Sequence, residues 1–281
     1  MPESTELRIE SKQEFLPRVT EEELQELRKR QDVRIRTEYV IHDSDNRPEE
    51  STPNYSKSEA FLQRQLQDTA AYYTDMKRMF EGMRDNYGVN IAEIQSMSIG
   101  EEKGETKVFM TVDKIEGEDL EHIKKLEEQE KLEAFLCGLF QAIFDAYQEQ
   151  KTFFGDYGSP NIMYGHRAGD GNDEKNYFLA DVGLGGFVHE DRTELAIEHG
   201  YFQKGKNPSY DENFFAAIML AIQDLKMYEA KLGKGASLAQ TRGKLREIYR
   251  YLKATKETAL EAYLDNNSFM KPTEEYFEKV A

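Results

Sequence analysis

Two short stretches decide how this chain is read: Phe154-Gly155-Asp156-Tyr157-Gly158-Ser159-Pro160-Asn161-Ile162-Met163 and, twenty residues beyond Asn161, Ala180-Asp181-Val182-Gly183-Leu184. The first follows the most apolar helix pattern in the chain and leads into a short extended run, Ile162 to Tyr164. The second closes another extended run, Tyr177 to Ala180. Between them lies a polar, glycine-rich loop. Two carboxylates and one carboxamide are therefore presented at the ends of elements, where side chains can converge without belonging to a core.

Upstream, Leu132, Phe135, Leu136, Leu139, Phe140, Ile143, Phe144 and Tyr147 recur at spacings of three and four, the signature of a buried helix over 132–149. Cys137 lies on or beside that face and reads as a small buried hydrophobe. Before it, 91–99 and 107–115 read as an antiparallel hairpin around a charged, glycine-containing turn. The stretch 116–120 reads as a hinge. A long amphipathic helix is expected over 58–87, and Asp32 to His42 alternates with a period of two, as a strand does. Thr20 with Glu23 forms a capping-box pattern ahead of a short helix, 21–31. Downstream, 211–227 and 236–265 carry helical apolar stripes. The expected class is α+β. The expected division is an N-terminal extension (1–31), a mixed N-terminal part (32–115), the hinge (116–120) and a mainly helical remainder (121–281).

Composition narrows the function. The chain has 281 residues, 38% of them hydrophobic, which is enough for a real core. The net charge of −17 repels phosphate backbones, so nucleic acid is not an expected partner. One cysteine excludes a disulfide framework. No apolar run approaches the roughly 18–20 residues that span a bilayer, and the start of the chain lacks a signal-peptide core. A cytoplasmic protein without a membrane partner is expected. All 19 glycines lie at or after Gly82.

The residue types in the two opening stretches suit phosphoryl transfer. A hydroxyl nucleophile needs an acceptor for its proton, and a carboxylate such as Asp156 can serve. Magnesium takes oxygen ligands, which Asp181 and the Asn161 carboxamide can supply. Gly183 permits the backbone torsions that aim Asp181 inward. His166 and His189 flank the site without a second His or Cys at metal-ligand spacing. Ser159 has no triad pattern around it.

Asp156, four residues, Asn161, then a strand hairpin and Asp181-Val182-Gly183 resemble the protein-kinase-like superfamily. The pairs Gly155-Asp156 and Pro160-Asn161 are closer to its small-molecule branch, such as aminoglycoside phosphotransferases. The resemblance covers about residues 33–230. It implies a two-lobed fold with a small β-rich N-lobe and a mainly helical C-lobe, and ATP and magnesium as cofactors. It makes Asp156 the catalytic base, and Asn161 and Asp181 the metal ligands. Val33-Arg34-Ile35-Arg36 occupies the place where the family reads Val-Ala-Ile-Lys, so Arg36 stands for the phosphate-binding lysine and Glu59 for its partner. Asp211, at the start of a downstream helix, would hold the catalytic loop.

The chain departs from the family at three points. Phe154 replaces the usual histidine. No glycine-rich phosphate loop can precede Gly82. Arginine replaces the strand lysine, and its planar fork differs from an ammonium point charge. The expectation is an ATP- and magnesium-dependent phosphotransferase acting on a hydroxyl of a small molecule or protein. Between residues 153 and 200 there are 9 acids against 3 Lys or Arg, which favours a cationic acceptor. Two alternatives remain open. One is a pseudokinase serving as a regulatory or interaction module; the other is an unrelated α+β binding protein.

Overall fold

Strand β1 (Val33–Glu38) buries Val33 and turns Arg34 outward, as its alternation predicts. In a computed structural model of the chain it lies at one side of a three-stranded antiparallel sheet with β2 (Ile94–Glu102) and β3 (Glu105–Asp113), in the order β1-β3-β2. The structure describes residues 17–38, 59–102, 105–169, 171, 174–183, 186–190 and 209–267. The outer parts of two expectations, strand residues 39–42 and helix residue 58, lie outside them. Helix α1 (Glu21–Lys29) has the expected capping box from Thr20 and Glu23. It is followed by β1 and then by α2 (Glu59–Tyr87).

The hairpin strands reach further toward their turn than expected. Both strands run through the glycine- and glutamate-rich stretch expected as a turn, as far as Glu102 and Glu105. Charge pairing makes this tolerable: Glu102 accepts from Arg28 at 2.6 Å and from Lys107 at 3.0 Å. A bulge between Ile94 and Ser96 absorbs the shift at the other end.

The stretch expected as a hinge is largely a strand. β4 (Ile115–Asp119) pairs along β6 (Ile162–Arg167), which pairs in turn with β7 (Asn176–Leu179), giving a second antiparallel sheet in the order β4-β6-β7. Short strands β5 (Thr152–Phe154) and β8 (Phe187–His189) form a third pair. Helix α3 (Gln129–Asp145) continues as one π-helical turn, Ala146–Gln150. The C-terminal helices are α4 (Tyr210–Leu232), α5 (Ala239–Thr255) and α6 (Glu257–Asn266). The single long pattern expected over 236–265 is thus broken at Lys256.

One apolar core runs from α2 through the sheets to the C-terminal helices. It joins Met76, Met79, Phe80 and Met83 of α2 to Leu132, Leu136 and Leu139 of α3 and to Phe214, Phe215 and Ile218 of α4. The segment leading into β2 is tied to β7 by backbone bonds from Ala92 N–H to Leu179 O and from Leu179 N–H to Asn90 O, each 2.9 Å. Arg167 adds ion pairs to Asp113 at 2.8 Å and Glu93 at 3.4 Å. The molecule is therefore mixed α and β, with small antiparallel sheets and several helices. Among the described residues, no helix is long and apolar enough to cross a membrane.

Candidate active site

The loop carrying Asp156 is set on an apolar floor. Thr152, Phe153 and Phe154 are all buried, and β5 pairs with β8 through Phe154 and Phe187. Phe154 packs edge-on against Phe80 of α2, with ring centroids 5.2 Å apart. That packing explains an aromatic hydrocarbon at this position. Tyr157 meets Phe140 of α3 in the same edge-on manner, at 5.5 Å. Between these two rings the chain turns through Gly155 and Asp156. The Gly155 N–H donates to Gly186 O at 2.7 Å.

The 3₁₀ turn Ser159–Asn161 then brings Asn161 back toward Asp156. The Asn161 Nδ2 donates both to the Asp156 carbonyl, at 3.0 Å, and to its Oδ1, at 2.6 Å. The Asn161 carbonyl in turn accepts from the N–H groups of Ala180, at 2.8 Å, and Asp181, at 3.4 Å. Three residues singled out in the sequence are thus joined through one buried carboxamide residue. Arg36 of β1 reaches the same point, its Nη1 donating to Asp181 Oδ1. Arg34, two residues earlier on the strand, stands 3.9 Å from that oxygen. Glu59 is the first residue of α2, and its side chain lies outside the described part, so the expected Arg36–Glu59 pairing falls there too.

Two glycines make this convergence possible by close approach. A Cβ on Gly183 would stand 2.9 Å from Arg36 Nη2 and 3.1 Å from its Cζ, so the guanidinium lies directly on the Gly183 backbone. A Cβ on Gly186 would fall 2.4 Å from the Phe154 ring and 2.7 Å from the Asp156 Cβ. Any side chain at 186 would displace the loop.

The residue that holds the loop from below is not Asp211. Asp211 accepts from the Tyr147 hydroxyl at 2.5 Å and pairs with Lys256 at 3.0 Å. The loop is held by Asp224, further along α4, whose Oδ2 accepts the Ser159 N–H at 3.1 Å. The Tyr228 hydroxyl, on the next helical turn, bonds to the same carboxylate. Burial pushes the Asp224 carboxyl up, and the bonds from Ser159 and Tyr228 oppose this only in part. The Ser159 carbonyl accepts from Leu120 N–H at 3.1 Å. Lys231, at the end of α4, holds the carbonyls of Leu120 and Glu121 at 2.6 and 2.7 Å. One helix therefore fixes both the loop and the turn after β4. A carboxylate amid buried Ala221, Ile222, Leu225 and Tyr228 was the available sequence signal.

The donor set is compatible with a hard cation. Asn161 Oδ1 and Asp181 Oδ2 accept no hydrogen bond among the described residues, and both are oxygen donors of the kind magnesium takes. A separate group, Asp119, Glu121 and His122, gathers on the exposed turn after β4. His122 Nδ1 lies 2.8 Å from Asp119 Oδ1, which raises the histidine's pKa, and this pairing accounts for their proximity. His166 faces Glu116 across the β4–β6 pair, 3.6 Å away. No protein-family model matches this chain, and no curated protein matches it.

Proposed function

We propose that this protein is a phosphotransferase of the protein-kinase-like type, with a small lobe built on β1–β3 and α2 and a larger one on the remaining helices. It would move the γ-phosphate of ATP to a hydroxyl. The observation that carries the reading is the joining of Asp156, Asn161 and Asp181 through one carboxamide residue, with a strand arginine arriving at Asp181. The order of elements supports it as well: a cation on a strand, a long helix, a hairpin, an apolar helix, and then the loop. These are the parts from which a kinase site is assembled.

In this reading the acceptor hydroxyl gives its proton to the Asp156 carboxylate as its oxygen bonds to the γ-phosphorus. The bond from phosphorus to the β–γ bridging oxygen breaks, and its electron pair leaves on ADP. Asn161 orients Asp156 by its two bonds, so the carboxylate needs little reorganisation as the proton moves. Asn161 and Asp181 would hold magnesium, which when bound neutralises charge on the phosphates. The acidic turn at Glu118, Asp119 and Glu121 favours a cationic acceptor, small molecule or protein.

Asp156→Ala is expected to lower transfer from ATP by roughly a hundred- to ten-thousandfold. The magnesium dependence of thermal stabilisation by ATP should survive that change and be lost in Asp181→Ala. Undiminished transfer in Asp156→Ala would remove the assigned base. A second reading, a pseudokinase acting as an interaction module, is favoured by one observation: the Asp181 carboxylate already has a cationic partner in Arg36. Absence of any stabilisation by millimolar Mg-ATP in the wild-type chain would select it.

A further inference from the structure

Arg34 and Arg36 project from the same side of β1, toward one carboxylate oxygen of Asp181. The two guanidinium groups differ in their situation. Arg36 is mostly buried, bonded to Asp181 and laid on the Gly183 backbone. Arg34 is 59% exposed, makes no hydrogen bond among the described residues, and its approach to Asp181, at 3.9 Å, is at the outer limit of an ion pair. A fork-shaped cation at the mouth of a site, beside a second one that is seated, matches a chain of phosphates better than a single carboxylate. Each guanidinium can grip two oxygens of one phosphoryl group. The strand also lies in the first 81 residues, which contain no glycine, so backbone N–H groups of a glycine-rich loop cannot provide the grip.

We propose that Arg34 and Arg36 together form a polyphosphate-binding fork that takes the place of a glycine-rich loop, and that Asp181 occupies this fork until a polyphosphate displaces it. Deepening the phosphotransferase reading, this assigns Arg34 a role in binding and makes the Arg36–Asp181 pair an exchangeable contact. When the polyphosphate arrives, Arg36 passes from carboxylate to phosphate and Asp181 is released to ligate a cation. Asp181 thus competes with the ligand in the absence of metal.

The test is binding of inorganic tripolyphosphate to the full chain in EDTA, by titration calorimetry. Wild type should bind. Arg34→Ala, at an exposed position that should not disturb folding, should bind about tenfold more weakly, the loss of one charge-assisted contact. Asp181→Asn should bind more tightly than wild type, because the competing charge is gone; Asp181→Ser repeats the test if the Asn variant does not fold. Equal affinity in Arg34→Ala, no tightening in the Asp181 variants, or no binding to wild type overturns the proposal. ATP in EDTA distinguishes the source of the ligand. The same loss in Arg34→Ala identifies the nucleotide's phosphate tail, and a loss confined to tripolyphosphate identifies a free polyphosphate. None of these measurements needs turnover. A chain that behaves as expected here yet transfers no phosphate keeps the fork and loses the transferase reading.

Discussion

The loop at Asp156 and the strand at Arg36 meet at one site but are held by different physics. Asp156, Asn161 and Asp181 are linked through backbone groups and a short carboxamide, on a floor of buried aromatic rings. Arg36 arrives from 145 residues away through a long side chain that pairs with Asp181. The loop is preorganised by packing, which neither salt nor ligand readily changes. The strand's contribution is electrostatic and can be exchanged. The fixed half is where proton transfer needs a set geometry, and the exchangeable half is where a charged ligand enters.

The largest expected effect is on the floor. Phe154 is fully buried between Phe80 and the Gly186 backbone, so Phe154→Ala removes a ring that its neighbours cannot replace. A loss of about 3–5 kcal/mol is expected, read as a lower urea midpoint at unchanged slope. A loss below about 1 kcal/mol would show that the loop is not held by its floor, and the contrast with Arg36 would collapse.

Asp224 comes next. Asp224→Ala leaves the Ser159 N–H without its acceptor and should cost about 1–3 kcal/mol. Asp224→Asn keeps an acceptor oxygen and should cost less. The pH dependence separates the two effects. Burial raises the folded-state pKa of Asp224 above its unfolded value. The native state therefore binds the proton more tightly, and stability from this group is present at low pH and lost as pH rises through the ordinary carboxyl range and up to the raised value. The Asn variant lacks this loss, so its stability relative to wild type should improve from about pH 4 upward. A flat difference in urea melts across that range would mean that the carboxylate is not desolvated as the geometry implies.

The sequence made the fixed half readable because its signals are local. Asp156 and Asn161 lie within one loop, and the two short strands between Asn161 and Asp181 have clear extended patterns. The helices were visible for the same reason, α2 and α3 nearly to their ends. Three features resisted. β4 reads as a hinge because Glu116-Gly117-Glu118-Asp119 has no apolar alternation; it is a strand only because β6 pairs with it. Asp224 lies between Ile222 and Leu225 in an apolar helical stripe, whose periodicity speaks for burial and not for a polar anchor. The place of Asp211 at a helix start suggests the anchor, but the Tyr147 hydroxyl, delivered by the π-helical turn, bonds to it instead. Long-range polar pairing is set by the tertiary fold, and no periodicity encodes it.

The finest test of the contrast is Gly183→Ala. The added methyl would stand 2.9–3.3 Å from three atoms of the Arg36 guanidinium, the far end of a flexible side chain, so Arg36 can move aside at little cost in stability. A change within about 0.5 kcal/mol is expected in urea melts, like a surface substitution. The guanidinium, however, can no longer lie on the backbone beside Asp181, so the ion pair should lengthen or open. If the strand's contribution is exchangeable, the variant should keep the loop intact, with the backbone amides of Asn161, Ala180 and Asp181 protected from hydrogen exchange as in wild type. Its affinity for Mg-ATP should fall, because Arg36 is displaced from the position in which it meets the phosphates. Loss of amide protection together with affinity would mean that Arg36 props the loop, and the division between a fixed half and an exchangeable half would not hold.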